Sequence, residues 1–117
     1  MSNYKKRPRY IPGYTVDMTL PVGRVYITIN SVEGVPFEIF IRGPKHLQSL
    51  YEALGRLVSL SLRSGLPVED ICHHLVGIRD NEPTWWEGVQ VLSLPDIIGK
   101  LLLASDEIIV EEYFKDV

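Results

Sequence analysis

The sequence predicts an α+β domain in which a three-stranded antiparallel sheet is packed on one face by one long helix and two shorter helices. Between residues 14 and 42, apolar and polar residues alternate with a period of two in three segments, as in strands with one buried face. The connections between these segments are too short for a parallel crossover, so neighbouring strands must be antiparallel. From residue 45 onward the apolar spacing changes to three and four residues, which is typical of amphipathic helices.

The three strands follow one another with only short breaks. The predicted strands span Tyr14–Leu20, Arg24–Asn30 and Phe37–Arg42. A proline and a glycine interrupt the chain before the second strand, and Glu33 and Gly34 occupy the turn before the third. The alternate apolar residues of all three strands are expected to face the core.

Three helices are predicted after the sheet. The first spans Lys45–Ser64, and its apolar face is predicted to cover the sheet. That face comprises Leu47, Leu50, Leu54, Leu57, Val58 and Ser61. The second has Pro67, Glu69 and Asp70 in its first turn and runs to about Val76. The third is capped by Ser93 and runs through Leu103. Residues 79–91 read as a loop, and residues 106–115 form either a continuing helix or a last strand.

The chain has the length of a single domain. Its 117 residues are too few for two independent cores. We predict a basic N-terminal arm over residues 1–12, one α+β domain over residues 13–104 and an acidic C-terminal segment over residues 105–117. The two ends are either solvated tails or surfaces of opposite charge that attract a neighbouring copy.

Composition excludes several classes of protein. Hydrophobic residues make up 45% of the chain and charged residues 23%, as in ordinary globular proteins. No apolar stretch approaches the roughly 20 residues of a membrane span, and the N-terminus lacks a signal-peptide pattern. We therefore expect a cytoplasmic protein with no membrane partner.

Residues suited to catalysis or metal binding are few. Cys72 is the only cysteine, so one chain forms neither an internal disulfide nor a cysteine-based zinc site. Cys72 lies among apolar neighbours, where a thiol is usually inert. His73 and His74 are adjacent, whereas metal ligands on helices prefer a spacing of three or four. We predict no catalytic residue, no metal, no cofactor and no intrinsic enzyme activity.

A stripe of basic residues is the strongest candidate for ligand binding. Arg56 and Arg63 lie seven residues apart, on one face of the predicted helix, with Ser59 between them. If the basic residues converge, they form an anion or nucleotide site, because guanidinium groups grip phosphate with two donors. The full candidate set is Arg42, Lys45, Arg56, Ser59, Arg63 and Arg79. The alternative is a solvated face, or arginines paired with nearby acids.

Four aromatic residues are candidates for a partner surface. Tyr26 and Phe40 fall on the open face of the predicted sheet, where they either stack bases or bury against another subunit or the C-terminal segment. Trp85 and Trp86 lie in the predicted loop, where they either anchor it to the core or form a partner surface. A three-stranded sheet covered on one face leaves Tyr26 and Phe40 exposed, so we expect a homo-oligomer.

Four segments carry a recognisable family pattern. They read RPRYIPGYT, GRVYITINSVEGVPFEIFI, EALGRLVSLSLRSGLPVEDICHHLVGIR and VLSLPDIIGKLL, and together they cover residues 7–15, 23–41, 52–79 and 91–102. The chain resembles the TSCPD domain, which is named for a short motif before its last helix. That domain is found at the C-terminal end of adenosylcobalamin-dependent ribonucleotide reductases and also in short free-standing proteins.

The chain departs from the resembled family at its cysteines. Family members often carry four of them, a set that suits tetrahedral zinc. The corresponding places here hold Val22, the region 44–46, Asp80 and Leu94. The resemblance therefore implies no metal or redox role for this chain, and it suggests that apolar packing replaces the metal.

Two functions remain open from the sequence. The first is a non-catalytic accessory or regulatory domain of ribonucleotide-reductase type that acts through protein contacts, with a reductase subunit as one candidate partner. The second is a small homo-oligomeric module that binds a nucleotide or nucleic acid through the arginine stripe.

Overall fold

The computed structural model describes residues 4–104, which form an α+β domain. Along the chain a sheet is followed by a long helix and then by a smaller part made of short helices and strands. The elements are β1 (Gly13–Leu20), β2 (Gly23–Val32), β3 (Val35–Arg42), a 3₁₀ turn (Lys45–Leu47), α1 (Gln48–Arg63), α2 (Val68–His73), β4 (Thr84–Trp86), β5 (Val89–Val91) and α3 (Leu94–Leu103). Strands β1, β2 and β3 form one antiparallel sheet in that order. The predicted fold class and its three helices are confirmed.

The buried face of the sheet is the one that the alternation predicts. Its fully buried side chains include Val25, Ile27 and Ile29 on the central strand, and each such side chain contributes roughly 1.5–3 kcal/mol through burial. Glu33 and Gly34 both have positive φ, 53° and 79°. This conformation suits a tight two-residue hairpin turn and fixes the pairing of β2 with β3.

Helix α1 lies along the free edge of β3 and satisfies backbone groups there. The Ser59 hydroxyl accepts a hydrogen bond from the Ile39 amide at 2.9 Å and donates to the Ile39 carbonyl at 3.1 Å. The Gln48 side chain accepts from the Gly43 amide at 3.0 Å and donates to the Ile41 carbonyl at 3.1 Å. These bonds protect an edge that would otherwise be open to pairing with another chain.

The orientation of α1 differs from the prediction. The residues that it buries are Tyr51, Gly55, Val58 and Leu62. Leu50 and Leu57, which were expected to cover the sheet, are 65% and 63% exposed. Apolar residues occupy most of the circumference of α1, so their spacing alone does not identify the buried face. In the observed orientation, Ser59 and Gln48 of α1 form hydrogen bonds to the edge of β3.

The segment between α1 and α3 differs from the prediction in two ways. Helix α2 ends at His73 instead of about Val76, because the next amides form tighter bonds to carbonyls three residues back. Residues 79–91 are not only a loop, since β4 and β5 pair within them as a short antiparallel hairpin. The Trp86 indole donates to the Asp17 carbonyl at 3.2 Å, which ties this hairpin to β1.

The described part of the N-terminal arm, residues 4–12, is bound to the domain. The Lys5 amide donates to the Arg63 carbonyl at 2.9 Å, and the Arg63 side chain returns a bond to the Lys5 carbonyl at 3.1 Å. Arg7 forms two hydrogen bonds to Glu38, at 2.8 and 3.1 Å. Lys5 and Arg7 are therefore bound to the domain, whereas Tyr10 between them and β1 is 89% exposed.

Glu38 is a buried carboxylate, only 3% exposed, on β3. Burial opposes its charge, but the hydrogen bonds from Arg7 and Asn30, together with the positive charges of Arg7 and Arg63, outweigh burial, and the pKa of Glu38 is lowered. Because its pKa is lower in the folded state, ionised Glu38 stabilises the fold at pH values above the unfolded-state pKa of about 4.3. This contribution is lost as the pH falls through the pKa of the folded state.

We expect Glu38→Gln to destabilise the protein by about 1–3 kcal/mol at pH 7. The glutamine side chain is neutral and has one acceptor oxygen, so it cannot accept the two bonds from Arg7 and the bond from Asn30. Urea unfolding from pH 7 to pH 2 measures this. The wild type should lose more stability across the acid range than Glu38→Gln does. Parallel pH profiles for the two proteins would contradict the role assigned to Glu38.

The C-terminal segment, residues 105–117, lies outside the described residues, as does the prediction of a helix or strand over residues 106–115. Within residues 4–104, none of the helices is long and apolar enough to cross a membrane.

Candidate functional site

Only part of the predicted basic stripe lies in one place. A groove of about 430 Å³ runs between α1 and the edge of β3, and we call it the α1–β3 groove. Its lining includes Arg56, Ser59 and Arg63 together with Phe40, Glu38 and Glu52. Two carboxylates thus lie in the same groove as the two guanidinium groups.

Each polar member of the stripe in this groove has a partner. Arg56 pairs with Glu52, one helical turn away, at 3.4 Å, and both side chains are exposed. Ser59 is bound to the backbone of Ile39, as described above. Ser59 is thus engaged by the backbone, and the Glu52 carboxylate beside Arg56 competes with an anion for its guanidinium group.

Arg63 holds the N-terminal arm. Its guanidinium carbon lies 4.4 Å from the ring centre of Tyr4 and 5.1 Å from that of Phe37. Its Nε donates to the Lys5 carbonyl at 3.1 Å. The spacing of seven residues correctly places Arg63 on the face of Arg56. It does not reveal that the Arg63 guanidinium group packs on Tyr4 and binds the Lys5 carbonyl.

The other three basic candidates lie apart from the α1–β3 groove. Arg42 lines a shallow groove on the open sheet face, beside Tyr26 and Phe40. Lys45 is exposed in the 3₁₀ turn, and Arg79 is exposed in the segment after α2. The six candidates therefore do not line one groove: Arg56, Ser59 and Arg63 share the α1–β3 groove, and the other three lie outside its lining.

The four aromatic candidates divide into exposed and packed residues. Tyr26 and Phe40 are 39% and 55% exposed on the open sheet face. Trp85 is 67% exposed in the middle of β4, where it pairs with Gln90. Trp86 packs against the core and anchors the hairpin, so the adjacent tryptophans have different environments.

A further apolar surface lies on the outer side of α1. Leu50, Ala53 and Leu57 lie on the side of α1 that faces away from the sheet, and the half-buried Leu60 extends them at the same spacing. We call these four residues the outer α1 stripe. The signal in the sequence that could have indicated this surface is the number of apolar residues in α1, which is larger than a single buried face needs.

A second cleft of about 430 Å³ lies between the β1–β2 turn and the start of α3, and we call it the α3 cleft. Its lining includes Leu20, Val22, Tyr51, Asp80, Glu82 and Leu94. Three of the four places that the resemblance relates to cysteines are among them, namely Val22, Asp80 and Leu94. The residues present do not fit a thiolate-held metal, because two of these three side chains are hydrocarbon.

The segment that corresponds to the family motif, residues 92–96, joins three parts of the chain. Asp96 is fully buried, and its carboxylate accepts bonds from the amides of Gly77 and Leu92, each at 2.9 Å. The Lys100 ammonium adds a third bond at 2.7 Å. Ser93 caps α3 by accepting from the Asp96 amide at 3.1 Å, as predicted.

These bonds determine the charge of Asp96. Burial opposes ionisation, but the bonds from Lys100, Gly77 and Leu92 outweigh burial, and the pKa of Asp96 is lowered. The carboxylate is therefore ionised at neutral pH and holds α3 against the turn after α2. Its role is structural, since its oxygens are already occupied by three donors.

The nucleophile and metal candidates give no reactive centre within residues 4–104. Cys72 is 1% exposed, and burial, followed by the charge of Glu69, raises the pKa of Cys72 to about 11. A thiol with so high a pKa is almost entirely protonated at neutral pH and is a poor nucleophile. In this part of the chain no three His, Cys, Asp or Glu residues are grouped so as to hold a metal ion.

Comparison with known proteins identifies the family of the chain. No curated protein and no solved structure matches it significantly. A family model described as the TSCPD domain matches residues 2–105, which is nearly the whole chain. The match includes the four segments noted in the sequence and the buried Ser93–Asp96 junction. The chain therefore belongs to the TSCPD domain family, which is associated with ribonucleotide reductases.

Proposed function

We propose that this chain is a non-catalytic accessory or regulatory domain that binds a ribonucleotide reductase subunit. The observation that carries the proposal is the outer α1 stripe, in which Leu50 and Leu57 are about two-thirds exposed on a regular helix. A helix with apolar residues on both sides is usually covered on both sides. The family association supplies the class of partner.

The chemistry of the described residues is consistent with a role without catalysis. The Cys72 thiol is buried and protonated, and the carboxylates of Glu38 and Asp96 are bound to donors within the fold. The nucleotide-binding alternative has less support, because Glu38 and Glu52 lie among the arginines of the α1–β3 groove and oppose an anion there.

We expect Leu57→Lys to weaken binding to the reductase subunit encoded in the same genome by at least tenfold, because it places a charge in the centre of the apolar stripe. Val35→Lys is the matched control, since Val35 is similarly exposed, at 57%, but lies at the β2–β3 hairpin. Titration calorimetry with melting curves for both variants measures affinity and fold separately.

Three outcomes of this experiment would contradict the proposal. The wild type fails to bind the subunit, or the two lysine variants bind equally well, or binding requires a nucleoside triphosphate that the chain itself retains at about 50 mM salt. The last result would favour the nucleotide module, whose affinity should fall as salt rises.

We also propose that the chain forms a homo-oligomer through the open sheet face, where Tyr26 and Phe40 are exposed beside Arg42. Light scattering should give a mass of at least twice the 13.3 kDa of one chain. Phe40→Ser should shift the protein towards the single-chain mass. A constant mass of 13.3 kDa for the wild type at all concentrations would overturn this expectation.

A further inference from the structure

The α3 cleft combines an apolar floor with an acidic rim. Leu20, Val91 and Leu94 are buried and form part of its wall. Asp80 and Glu82 are exposed, and among residues 4–104 they are the charged members of its lining, which includes no lysine, arginine or histidine from that part of the chain. Within residues 4–104, no ion pair involves either carboxylate.

Tyr51 provides an independent indication of a ligand. Its side chain belongs to the core and is only 9% exposed, yet it also lines the cleft. Among the described residues no hydrogen-bond partner faces its hydroxyl, and no buried side-chain oxygen in this part of the chain is enclosed without a partner. The hydroxyl oxygen is therefore not enclosed, and Tyr51 lines the cleft together with Asp80. Burial, followed by the charge of Asp80, raises the pKa of Tyr51, so the phenol is protonated at neutral pH.

The walls of the cleft are held in place by the fold. The Asp80 amide donates to the Leu92 carbonyl at 2.9 Å, which fixes the acidic segment beside the start of α3. The Ser93 hydroxyl donates to the Ile78 carbonyl at 2.6 Å, two residues before Asp80. The position of the acidic rim thus depends on the same junction that Asp96 stabilises.

We propose that the α3 cleft binds an organic cation, an ammonium or guanidinium group on a short apolar stem. The stem would lie on the floor beside Leu20 and Leu94, while the charged group would meet Asp80 and Glu82 and donate to the Tyr51 hydroxyl oxygen. The cation is either a free small amine or a lysine or arginine side chain of another protein. This site is distinct from the outer α1 stripe, so it stands or falls independently of the proposed reductase contact.

Chemical-shift titration of the ¹⁵N-labelled full chain tests the site with defined probes. The cationic probes are n-butylammonium and n-butylguanidinium, and 1-butanol is the neutral control of the same stem. Acetyl-Gly-Lys-Gly-amide and its arginine counterpart represent a protein side chain. We expect the cations to shift the amides of residues 80–84 and 91–94 saturably, and 1-butanol to bind at least tenfold more weakly.

Variants test the residues of the site. Asp80→Asn combined with Glu82→Gln should weaken n-butylammonium at least tenfold, and Tyr51→Phe should weaken it severalfold while the ring still fills its place in the core. Asp70→Asn, an exposed change on α2, is the control. Tighter binding of the peptides than of the free amines would identify a protein side chain as the source, and the reverse order would identify a small amine. Equal binding of 1-butanol and n-butylammonium, or no saturable shift at these residues with any cation, would overturn the proposal.

Discussion

Asp96→Asn is expected to lower the free energy of unfolding by about 3 kcal/mol at pH 7, near the lower end of the range for breaking a buried ion pair. The wild-type carboxylate accepts bonds from two backbone amides and from Lys100. An asparagine offers one acceptor oxygen and turns an amide group towards a donor, so at least one buried donor loses its partner. Lys100 is 30% exposed and can turn to water, which limits the loss.

Acid should remove the same contribution from the wild type. Because the pKa of Asp96 is lowered, its stabilisation is present above the unfolded value of about 3.9 and is lost as the pH falls through the native value. Urea unfolding at several pH values measures this, and Asp96→Asn should show a flatter profile. Asp17→Asn is the control, because the Asp17 carboxylate forms an exposed pair with Arg24, which contributes little, and its backbone carbonyl is unchanged by the substitution. A loss below about 0.5 kcal/mol for Asp96→Asn would mean that the three bonds do not hold the junction.

The sequence predicts the local part of this junction but not the distant part. Ser93 is identified as a helix cap from its position before Pro95 and Asp96, and it caps α3 in the structure. The contact of Asp96 with Gly77 joins residues 19 positions apart, and no spacing rule gives such a contact. Period-two alternation likewise predicts the sheet of β1 to β3, whereas the three-residue strands β4 and β5 are too short to show any period.

The candidate sites show the same division between local pattern and tertiary contact. The spacing of Arg56 and Arg63 predicts a shared face, but the chain segment that reaches Arg63 comes from residue 5, 58 positions away. The outer α1 stripe was hidden because Leu50 and Leu57 were assigned to the face that covers the sheet. Which apolar side of a helix is buried depends on what the helix packs against, and here Ser59 and Gln48 bind the edge of β3.

The resemblance was more informative than residue spacing for the α3 cleft. It marked Val22, Asp80 and Leu94 as related positions although they are 58 and 14 residues apart along the chain. The structure places all three in the lining of one cleft. Leu94 is 5% exposed and belongs to the hydrophobic core, which supports the expectation that apolar packing occupies this place.

Leu94→Ala is therefore expected to destabilise the protein by about 2–5 kcal/mol, through lost apolar burial and the cavity left behind. Alanine is at least as favourable as leucine in a helix, so the first turn of α3 should not contribute to the loss. Leu50→Ala is the matched control, since it removes the same atoms from a side chain that is 65% exposed. Its effect should stay within about 0.5 kcal/mol in dilute protein.

Denaturant unfolding of both variants, with the slope against denaturant compared to the wild type, separates a lost contact from a change in the unfolded state. A change below about 0.5 kcal/mol for Leu94→Ala would show that this side chain behaves as a surface residue. Packing could then not be the reason why the α3 cleft keeps its shape. A large loss for Leu94→Ala beside a small one for Leu50→Ala would instead locate the stabilising contact at the cleft wall, where the first residue of α3 meets the core of the sheet.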